Sequence, residues 1–488
     1  MPTPCPTRAC RLGLSGNLWL ATVNTFAHRF EEWASRRSLT GPQAGFLLAT
    51  LVAAGAGIRL APETTGAILI RSAHLAFVLV ALWRILLIVV PRPAPGTLAR
   101  GPDLPRYTIL VALLDEASVI DQLVERLSRI DYPPDRLEAF LVLEAHDQET
   151  IDAAWHADRP AWMSILIAPP GHPRTKPRAL NVGLAAATGA LVTVYDAEDD
   201  PDPLQLREAA ARFASDASGT LSALQAPLRI RTATRTRTPF LDRQFAIEYA
   251  SLFEVTLPAM ARLGLPFPMG GTSNHFRASW LRAVGGWDAH NVTEDADLGF
   301  RLWRAGGTLG VIQRPTHEPP PGGLGAWLPQ RTRWLKGYMQ TCGVHTRSLH
   351  TLGWRGALAL LMTVGASLAA AAVHAISVAW VAALVLVAAV AGLEPRASLV
   401  SLGVLGLGTV AAWSSAWLGT RRAGLPCTLA DIARTPLYWS LLTLAFAHAF
   451  ARLFYEPFAW DKTRHLPDAI DLTAETVAGP ATAGRRAA

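Results

Sequence analysis

The chain has 488 residues, of which 50% are hydrophobic and 17% are charged. This composition suits a soluble domain that is joined to membrane helices. Its net charge of +7 is modest, and no basic run is interleaved with aromatic residues, which argues against nucleic acid as a partner. The four cysteines (Cys5, Cys10, Cys342 and Cys427) have neither metal-ligand spacing nor a disulfide pattern. A reduced, cytosol-facing catalytic part is the simplest interpretation.

The first apolar segments predict a hairpin of two transmembrane helices within residues 44–90. Apolar windows at 44–58 and 67–90 are separated by a short turn rich in Pro, Glu and Thr. Arginines in the preceding segment, residues 1–43, favour a cytoplasmic N-terminus. A signal peptide over 12–27 is the rival interpretation, although two asparagines interrupt its apolar core.

Residues 104–320 alternate short apolar runs with helical stretches, as an α/β domain does. Runs rich in strand-forming residues lie at 107–114, 137–144, 162–169 and 191–196, with helical stretches such as 117–130 and 176–187 between them. This alternation predicts a mainly parallel sheet with helices on both faces. Ligands of such sheets bind beyond the carboxyl ends of the strands.

Acidic residues follow three of the predicted strands. They are Asp115 and Glu116 after the first, Glu144 and Asp147 after the second, and the run Asp-Ala-Glu-Asp-Asp at 196–200 after the fourth. Each group alone is most simply a helix cap or a turn, but three along one edge predict a cation or sugar hydroxyls. Asp196 and Glu198 could share one divalent ion, since Mg²⁺ takes one or two carboxylates together with substrate phosphates.

A second set of carboxylates lies at a predicted helix start within 291–307. Thr293 would cap a helix that begins with Glu294 and Asp295, an arrangement that the helix dipole favours. On this ground alone, a capped helix start is the simpler interpretation. The functional alternative makes one of the carboxylates a general base, held rigidly at a helix terminus.

Residues 321–349 contain a helix that is predicted to lie at the membrane interface. Its apolar stripe over 324–342 consists of Leu324, Trp327, Leu328, Leu335, Tyr338 and Met339. Arg333 and Lys336 lie away from that stripe, as the polar face of an amphipathic interfacial helix would. The alternatives are an ordinary helix packed on the domain and a basic, aromatic anchor beside a membrane span.

The C-terminal apolar region, residues 356–456, has two topological solutions. In the one we favour, residues 356–393 hold two spans and 398–418 and 435–454 hold one each, which gives six spans in the chain. In the other, 356–393 is one span plus an interfacial piece, and the last segment is re-entrant. The second solution keeps three arginines inside, Arg421, Arg422 and Arg434. Both return the tail, residues 457–488, to the cytoplasm.

Three motifs together resemble the processive, membrane-embedded family 2 glycosyltransferases, which include the cellulose, chitin and hyaluronan synthases. The motifs are DAEDDPDP from Asp196, TED at 293–295 and QRTRW at 330–334, in the order and spacing of that family. The resemblance covers residues 104–341, and the pairing of TED with Gln-x-x-Arg-Trp is highly specific. It implies a GT-A domain, flanked by transmembrane helices, that binds a UDP-sugar and inverts the anomeric centre.

The resemblance also implies a role for each matching residue. Donor contacts would come from Asp115, Glu116, Glu144 or Asp147, and Lys176, with Asp196 and Glu198 binding Mg²⁺ or Mn²⁺ on the diphosphate. Asp295 would be the base, Glu294 a second catalytic residue and Thr293 a substrate contact. Gln330 and Arg333 would contact the diphosphate, Arg331 would also bind substrate, and Trp334 would stack on the acceptor sugar. The family usually has Asn at the position of Asp115, Asp-Asp near Glu144 and Asp at the position of Glu198. These departures resemble a bacterial subgroup with mostly unassigned donors, so the sugar is not carried over.

Lysine is rare in this chain, since Lys176, Lys336 and Lys462 are the only lysines among 45 basic residues. All three fall in predicted substrate-handling segments, where a compact ammonium differs from a planar guanidinium. The tail segment FYEPFAWDKTRH also contains Trp460 and Arg464. It is either an interfacial anchor or a gating loop that closes over the donor, and it resembles the Trp-containing loop of hyaluronan synthases.

The leading functional prediction is a glycosyltransferase in the bacterial inner membrane, with its catalytic domain in the cytoplasm. It would be embedded in the lipid bilayer and would transfer sugar from a UDP-sugar to a growing glycan, with translocation of that glycan coupled to synthesis. Periplasmic export partners are left open. The alternative is a single-sugar transferase with a lipid-linked or polyprenyl-phosphate acceptor. A non-catalytic membrane protein would have no need to combine three acidic strand ends with a TED motif.

Overall fold

The computed structural model describes residues 34–36, 39–94, 96–101, 104–231, 239–392 and 399–459. Two long apolar helices come first, α1 (Gly41–Leu60) and α2 (Pro62–Val89). They form the predicted hairpin, joined at Ala61, and each begins a few residues earlier than the apolar windows suggest. An α/β unit follows.

The sheet of the α/β unit is mixed and mainly parallel. Its strands are β1 (Tyr107–Leu113), β2 (Leu137–Glu144), β3 (Met163–Ala168), β4 (Leu191–Val194), β6 (Leu221–Gln225), β8 (Asn274–Arg277) and β9 (Thr308–Val311), in the order β3-β2-β1-β4-β8-β6-β9. Only β8 runs antiparallel to its neighbours. A smaller sheet has the order β5 (Asp200–Pro201), β10 (Thr316–Glu318) and β7 (Leu228–Ile230). The four predicted strands are confirmed, and the short strands of the second half were not predicted.

Eight α-helices accompany these strands within the described part of the unit. They are α3 (Ile120–Ser128), α4 (Gln148–His156), α5 (Lys176–Ala186), α6 (Gln205–Ala214), α7 (Phe240–Ser251), α8 (Leu257–Arg262), α9 (Ala278–Ala283) and α10 (Glu294–Arg304). A π-helical turn, Leu252–Thr256, separates α7 from α8.

Alternate residues of the strands pack on opposite faces of the main sheet, and both faces are buried. On β1, Ile109 packs in the cluster that contains Leu127 of α3, whereas Leu110 packs in the cluster that contains Leu180 of α5. A strand that is covered on both sides needs apolar residues at nearly every position, which explains the continuous apolar run of β1. The prediction of helices on both faces is therefore confirmed.

The strand register brings the acidic groups to one edge of the sheet. Leu113 of β1 pairs with Leu143 of β2, and Leu110 of β1 pairs with Val194 of β4. All three strands are parallel, so the residues that follow them emerge on the same side. This is the edge at which a ligand of such a sheet is expected.

The chain then continues into a second set of helices. They are α11 (Leu324–His345), α12 (Leu349–Leu360), α13 (Ala366–Val390), α14 (Leu399–Ala423), α15 (Leu429–Ala433) and α16 (Thr435–Tyr455). Among the described residues, five helical stretches are long and apolar enough to cross a membrane, judged by length and composition. The sequence favoured six spans, but residues 349–390 count as one of the five stretches. The helix breaks near its start at Gly353, where φ is 63°, and a π-helical turn at Leu361–Gly365 takes the place of a loop.

Both ends of the last apolar stretch, Leu429–Tyr455, lie against the α/β unit or α11. At its start, the side chain of Asp431 accepts a 2.7 Å hydrogen bond from Arg243 on α7. At its end, the carbonyl of Glu456 accepts a 2.9 Å hydrogen bond from Lys336 on α11. This stretch therefore runs along the unit and does not lead away from it.

Candidate active site

Lys176 brings together carboxylates from two motifs that are far apart in sequence. It is the first residue of α5, and its buried ammonium forms an ion pair with Asp196 and donates a 2.7 Å hydrogen bond to the carbonyl of Gly271. Glu294 and Asp295 lie close enough to interact electrostatically with this ammonium. Burial opposes the charged form, but the three carboxylates together raise the pKa of Lys176. The DAEDDPDP motif and the TED motif therefore lie close together around one ammonium group.

Helix α10 begins at Glu294, as predicted, with acidic residues in its first turn. Thr293 occupies the N-cap position, but its side chain makes no capping hydrogen bond, so the predicted cap is wrong in detail. Instead, the backbone amide of Thr293 donates a 3.0 Å hydrogen bond to the side chain of Asn291. The helix dipole still favours negative charge at this terminus.

The two adjacent carboxyl groups of the TED motif have raised pKa values. Burial and the charge of Asp295 raise the pKa of Glu294 to about 7, although Lys176 and Arg333 act in the opposite direction. Burial also raises the pKa of Asp295, and the amide of Ala296 and the same two cations oppose it. A carboxylate that titrates nearer to neutrality is a stronger proton acceptor, as a general base should be.

Helix α11 carries the QRTRW motif against the start of α10. A Cβ atom on Gly337 would lie 2.2 Å from Oγ1 of Thr293, so the absence of a side chain lets the two helices approach. Gln330 and Arg333 are partly buried, and neither Oε1 of Gln330 nor Nε of Arg333 has a hydrogen-bond partner among the described residues. Buried polar atoms of this kind usually find a partner, which a bound substrate would supply.

Arg331 of the same motif is engaged within the protein. Its guanidinium donates 2.9 and 2.6 Å hydrogen bonds to the carboxylate of Glu248 and a 2.8 Å bond to the hydroxyl of Tyr438. It also lies 4.4 Å from the ring centroid of Trp334. This arrangement joins α7, α11 and α16, so it favours a role in packing, and the predicted contact of Arg331 with substrate stays a prediction.

Trp334 is partly exposed and packs against a buried aromatic cluster. Its ring centroid lies 6.0 Å from that of Phe245 and 6.3 Å from that of Tyr249. Tyr249 in turn lies 5.4 Å from Phe253. Aromatic faces next to a polar site suit the apolar face of a sugar ring, because the indole presents a large flat surface with one polar edge.

The groups after β1 and β2 are tied to each other. Asp147 caps α4 by accepting a 3.2 Å hydrogen bond from the amide of Thr150, and its other oxygen accepts a 2.6 Å bond from the amide of Asp115. Asp115 has a φ of 51°, in the left-handed region that costs a non-glycine residue energy. The amide of Glu116 donates a 3.0 Å bond to the hydroxyl of Thr150. Asp147 therefore holds the strained loop after β1 in place.

Glu144 forms a buried ion pair at the end of β2. Its carboxylate accepts a 3.1 Å hydrogen bond from Arg178, whose guanidinium also donates a 2.5 Å bond to the carbonyl of Pro169. Burial raises the pKa of Glu144, while Arg178 lowers it. Whether Glu144 or Asp147 contacts a nucleoside stays a prediction, because both have partners in the protein.

The carboxylates around Asp196 have the chemistry of a divalent-cation site. Burial, reinforced by neighbouring carboxylates, raises the pKa values of both Asp199 and Glu318, which lie near Asp196 and Glu198. Oδ1 of Asp199 and Oε1 of Glu318 are buried and have no hydrogen-bond partner among the described residues. No three metal-ligating groups are already arranged around one point in that part of the chain. The residues therefore fit an ion that takes one or two carboxylates and completes its shell with phosphate and water.

Sequence reasoning missed several residues of this site. Glu318 joins the acidic cluster, and Gly271 supplies a carbonyl to Lys176, while Asp199 belongs to the predicted acidic run but was given no role of its own. The Gly-Gly pair at 270–271 is a signal for close backbone approach that could have been used. Three further predicted residues, Trp460, Lys462 and Arg464, lie outside the described residues.

Comparison with known proteins gives this geometry a family context. A family model described as "Glycosyl transferase family group 2" matches residues 191–393. The probable glycosyltransferase YdaM of Bacillus subtilis (strain 168) is 26% identical over 238 residues, 48% of this chain and 56% of that protein. The β-monoglucosyldiacylglycerol synthase of Synechocystis sp. (strain ATCC 27184 / PCC 6803 / Kazusa) is 27% identical over 281 residues, 55% of this chain and 56% of the relative.

Further matches add a polymer-forming relative and a solved structure. The cellulose synthase 1 catalytic subunit of Komagataeibacter xylinus is 26% identical over 255 residues, 51% of this chain and 33% of that protein. A mannosyltransferase structure, PcManGT from Pyrobaculum calidifontis in complex with GDP-Man and Mn²⁺, covers 80% of this chain and 98% of its own, with a TM-score of 0.49 and 19% identity.

The chain spans about half the length of the first two of these curated relatives. Its matched region, residues 191–393, contains the TED motif and the QRTRW motif that carried the resemblance in the sequence. The mixed, mainly parallel sheet with helices on both faces is the GT-A-like fold that was predicted. These matches show a glycosyltransferase domain in this chain, and residues 191–393 are similar to family group 2.

Proposed function

We propose that this protein transfers a sugar from a UDP-sugar to an acceptor hydroxyl with inversion, and that Asp295 is the base. One observation carries the proposal. Lys176 pairs with Asp196 and interacts electrostatically with Glu294 and Asp295, the two TED carboxylates, and Arg333 also interacts electrostatically with these two. A donor diphosphate and an acceptor hydroxyl must lie close together in a direct displacement, which such a convergence allows.

The reaction needs one proton transfer and one exchange of bonds. The carboxylate of Asp295 accepts the proton of the acceptor hydroxyl as that oxygen forms a bond to the anomeric carbon of the donor sugar. The bond from that carbon to the diphosphate breaks, and UDP leaves with the electron pair. Lys176 and Arg333 face the charge that develops on the leaving group, so they stabilise the transition state electrostatically.

A divalent ion would be held by Asp196 and Glu198. Mg²⁺ or Mn²⁺ bound there would neutralise charge on the diphosphate of the donor and so ease its departure. The buried oxygens of Asp199 and Glu318 that have no hydrogen-bond partner among the described residues support a cation at this end of the site. Lys176, which pairs with Asp196, would bring its positive charge to the same phosphates.

The acceptor we favour is the end of a growing polysaccharide, with export coupled to synthesis. The partly exposed indole of Trp334, which packs on buried aromatic residues, supports a sugar ring as the acceptor, because such rings stack on aromatic faces. The similarity to a cellulose synthase subunit points the same way. The second candidate is a single transfer to a lipid acceptor, which the similarity to a β-monoglucosyldiacylglycerol synthase favours.

We infer a membrane topology with four crossings, by α1, α2, α13 and α14, and an interfacial α16. The contacts of Asp431 with α7 and of Glu456 with α11 support both ends of α16 on the side of the catalytic unit. Arg422, near the end of α14, donates a 2.8 Å bond to the carbonyl of Glu254 and belongs on that side too. A cysteine at the exposed Leu429 should react with a membrane-impermeant maleimide only after the cytoplasmic face is opened; labelling of intact cells would contradict this topology.

The function is tested with purified protein and a panel of UDP- and GDP-sugars. UDP release and product size are read in the presence of Mg²⁺ or Mn²⁺, with polysaccharide primers and with diacylglycerol as acceptors. A polymer that lengthens with time supports the synthase, and a single glycosylated lipid supports the second candidate. Release of nucleotide from none of the donors, in protein that still binds UDP, would contradict the proposed transfer.

A further inference from the structure

Lys336 is fully buried, although its position in the helical pattern predicted a polar, outward-facing side chain. Its ammonium donates hydrogen bonds of 2.9 Å to the carbonyl of Glu456 and 2.8 Å to the carbonyl of Ala459. A buried ammonium is costly unless it is well bonded. Here it lies at the C-terminus of α16, where the helix dipole presents partial negative charge and favours a cation.

Gln340 lies one helical turn after Lys336 and extends the same set of contacts. Its Nε2 donates a 3.0 Å bond to the carbonyl of Pro457 and a 3.4 Å bond to the carbonyl of His290. Its Oε1 accepts a 3.1 Å bond from the amide of Val292. One buried amide therefore binds both the segment after α16 and the loop before the TED motif.

A ring contact joins the same two segments directly. The ring of Phe458 lies edge-on to that of His290, with 5.3 Å between the centroids. On the other side, the side chain of Asn291 donates a 3.1 Å bond to the hydroxyl of Thr341 on α11. Residues 290–292 are thus held between α11 and residues 456–459, immediately before Thr293.

We propose that Lys336 and Gln340 are positioning residues that hold residues 456–459 against the loop 290–292 and so set the position of Glu294 and Asp295. The proposal rests on the proposed function, since it assigns these two residues to the geometry of the base. It makes the end of the last apolar helix part of the active-site framework. Neither side chain touches substrate in this role.

The expected kinetic effect follows from what is displaced. If the loop 290–292 shifts, the carboxylates that follow it move relative to the acceptor. The proposed donor-binding residues stay in place, Lys176 on α5 and Asp196 just after β4. A misplacement of about 1 Å can cost on the order of 100-fold in rate. Turnover should therefore fall more than donor affinity.

The compact ammonium also explains the choice of lysine in a chain that otherwise uses arginine. The two carbonyls that Lys336 binds belong to residues three positions apart, and a single nitrogen reaches both. A guanidinium is longer, planar and fixed in its donor directions, so it would push residues 456–459 away. Lys336→Arg should therefore behave like a loss of the contact and not like a conservative change.

The experiment compares Lys336→Met and Gln340→Met with Glu456→Gln as the matched control. The control changes an exposed side chain of the same segment and leaves its backbone carbonyl in place. Folded protein is quantified by size-exclusion chromatography in detergent, and kcat, donor KM, UDP affinity and amide deuterium uptake are then measured for each variant. Gln340→Met carries no change in charge, so it keeps the test decisive if Lys336→Met does not fold.

The proposal predicts that kcat per folded molecule falls about 10-fold or more, with UDP affinity within about twofold of the wild type. Deuterium uptake should rise in both segments, 456–459 and 290–292, and Glu456→Gln should match the wild type. Unchanged kcat, or increased uptake in 456–459 alone, would overturn it. If the wild type transfers no sugar, the proposed function fails, but deuterium uptake still decides whether the two segments are coupled.

Discussion

Two acidic groups at the same sheet edge have different surroundings in this fold. After β1 and β2, Asp147 and Glu144 are bonded to backbone amides and to Arg178, so their oxygens hold the protein together. After β4, Asp196 faces the ammonium of Lys176, and its acidic neighbours include buried oxygens without a hydrogen-bond partner among the described residues. The sequence signature is the same in both places, a carboxylate just beyond a parallel strand.

The difference shows what distinguishes a structural carboxylate from a candidate ligand-binding one. A carboxylate that caps a helix or pairs with an arginine gains stability from protein partners alone. A cluster whose pKa values are raised by mutual repulsion and burial is unfavourable until a cation joins it. The group after β4 is therefore where a metal ion and a diphosphate should act.

The largest expected effect in this comparison comes from removing the cation ligands. Turnover should fall by about 10³-fold in Asp196→Ala combined with Glu198→Ala, and similarly in excess chelator, because charge on the leaving group is no longer neutralised. Re-addition of Mn²⁺ or Mg²⁺ should restore the chelated wild type but not the variant. Asp135→Asn, which changes an exposed carboxylate on the same unit, serves as the control. Full activity in chelator would contradict the cation site.

A smaller effect, on stability, is expected at the other end of the comparison. Glu144→Gln leaves the buried guanidinium of Arg178 without its carboxylate, which should lower the free energy of unfolding by about 3 kcal/mol. Asp147→Asn should have a smaller effect of about 1 kcal/mol, because asparagine is also a good helix N-cap but its amide nitrogen cannot accept the bond from the amide of Asp115. Thermal unfolding and UDP affinity are measured together. If UDP affinity falls and stability does not, Glu144 is a nucleoside contact, as the resemblance implies, and the carboxylates after β2 are not purely structural.

The pH dependence gives the smallest of these effects. Since the pKa of Glu294 is raised to about 7, the TED pair holds a proton below that pH and is a poorer base. Turnover should rise about tenfold per pH unit up to about pH 7 and then level off. The native state binds this proton more tightly than the unfolded chain, so the same group makes stability fall as pH rises through that window. In Glu294→Gln, the break near pH 7 should move or disappear; an unchanged profile would exclude Glu294 as its source.

Local signals were enough to predict the first half of the sheet and the start of helix α10. The apolar run that begins at Tyr107 predicted β1, and the acidic residues after Thr293 predicted the first turn of α10. Both patterns depend on residues that are close in sequence. The short strands β5 to β10 were not predicted, because runs of two to five residues carry little periodicity.

Contacts between distant segments account for the remaining errors. Lys336 was placed on an outer face because helical periodicity shows one apolar stripe and cannot show a polar partner some 120 residues away, such as Glu456. The number of spans stays a prediction for a similar reason, since nothing local tells a helix that crosses the bilayer from one that lies along the domain. Arg331 and Arg333 are two residues apart in one motif, yet Glu248 binds the first and TED carboxylates face the second.

The central claim is that Asp295 is the base of a sugar transfer, and Asp295→Asn tests it most directly. The change keeps the size of the side chain and removes its ability to accept the proton. Turnover with the active donor should fall by about 10²–10⁴-fold, while UDP affinity, measured by calorimetry on the same folded protein, should stay within about twofold of the wild type. Near-wild-type turnover in this variant, with UDP affinity intact, would contradict the role of Asp295.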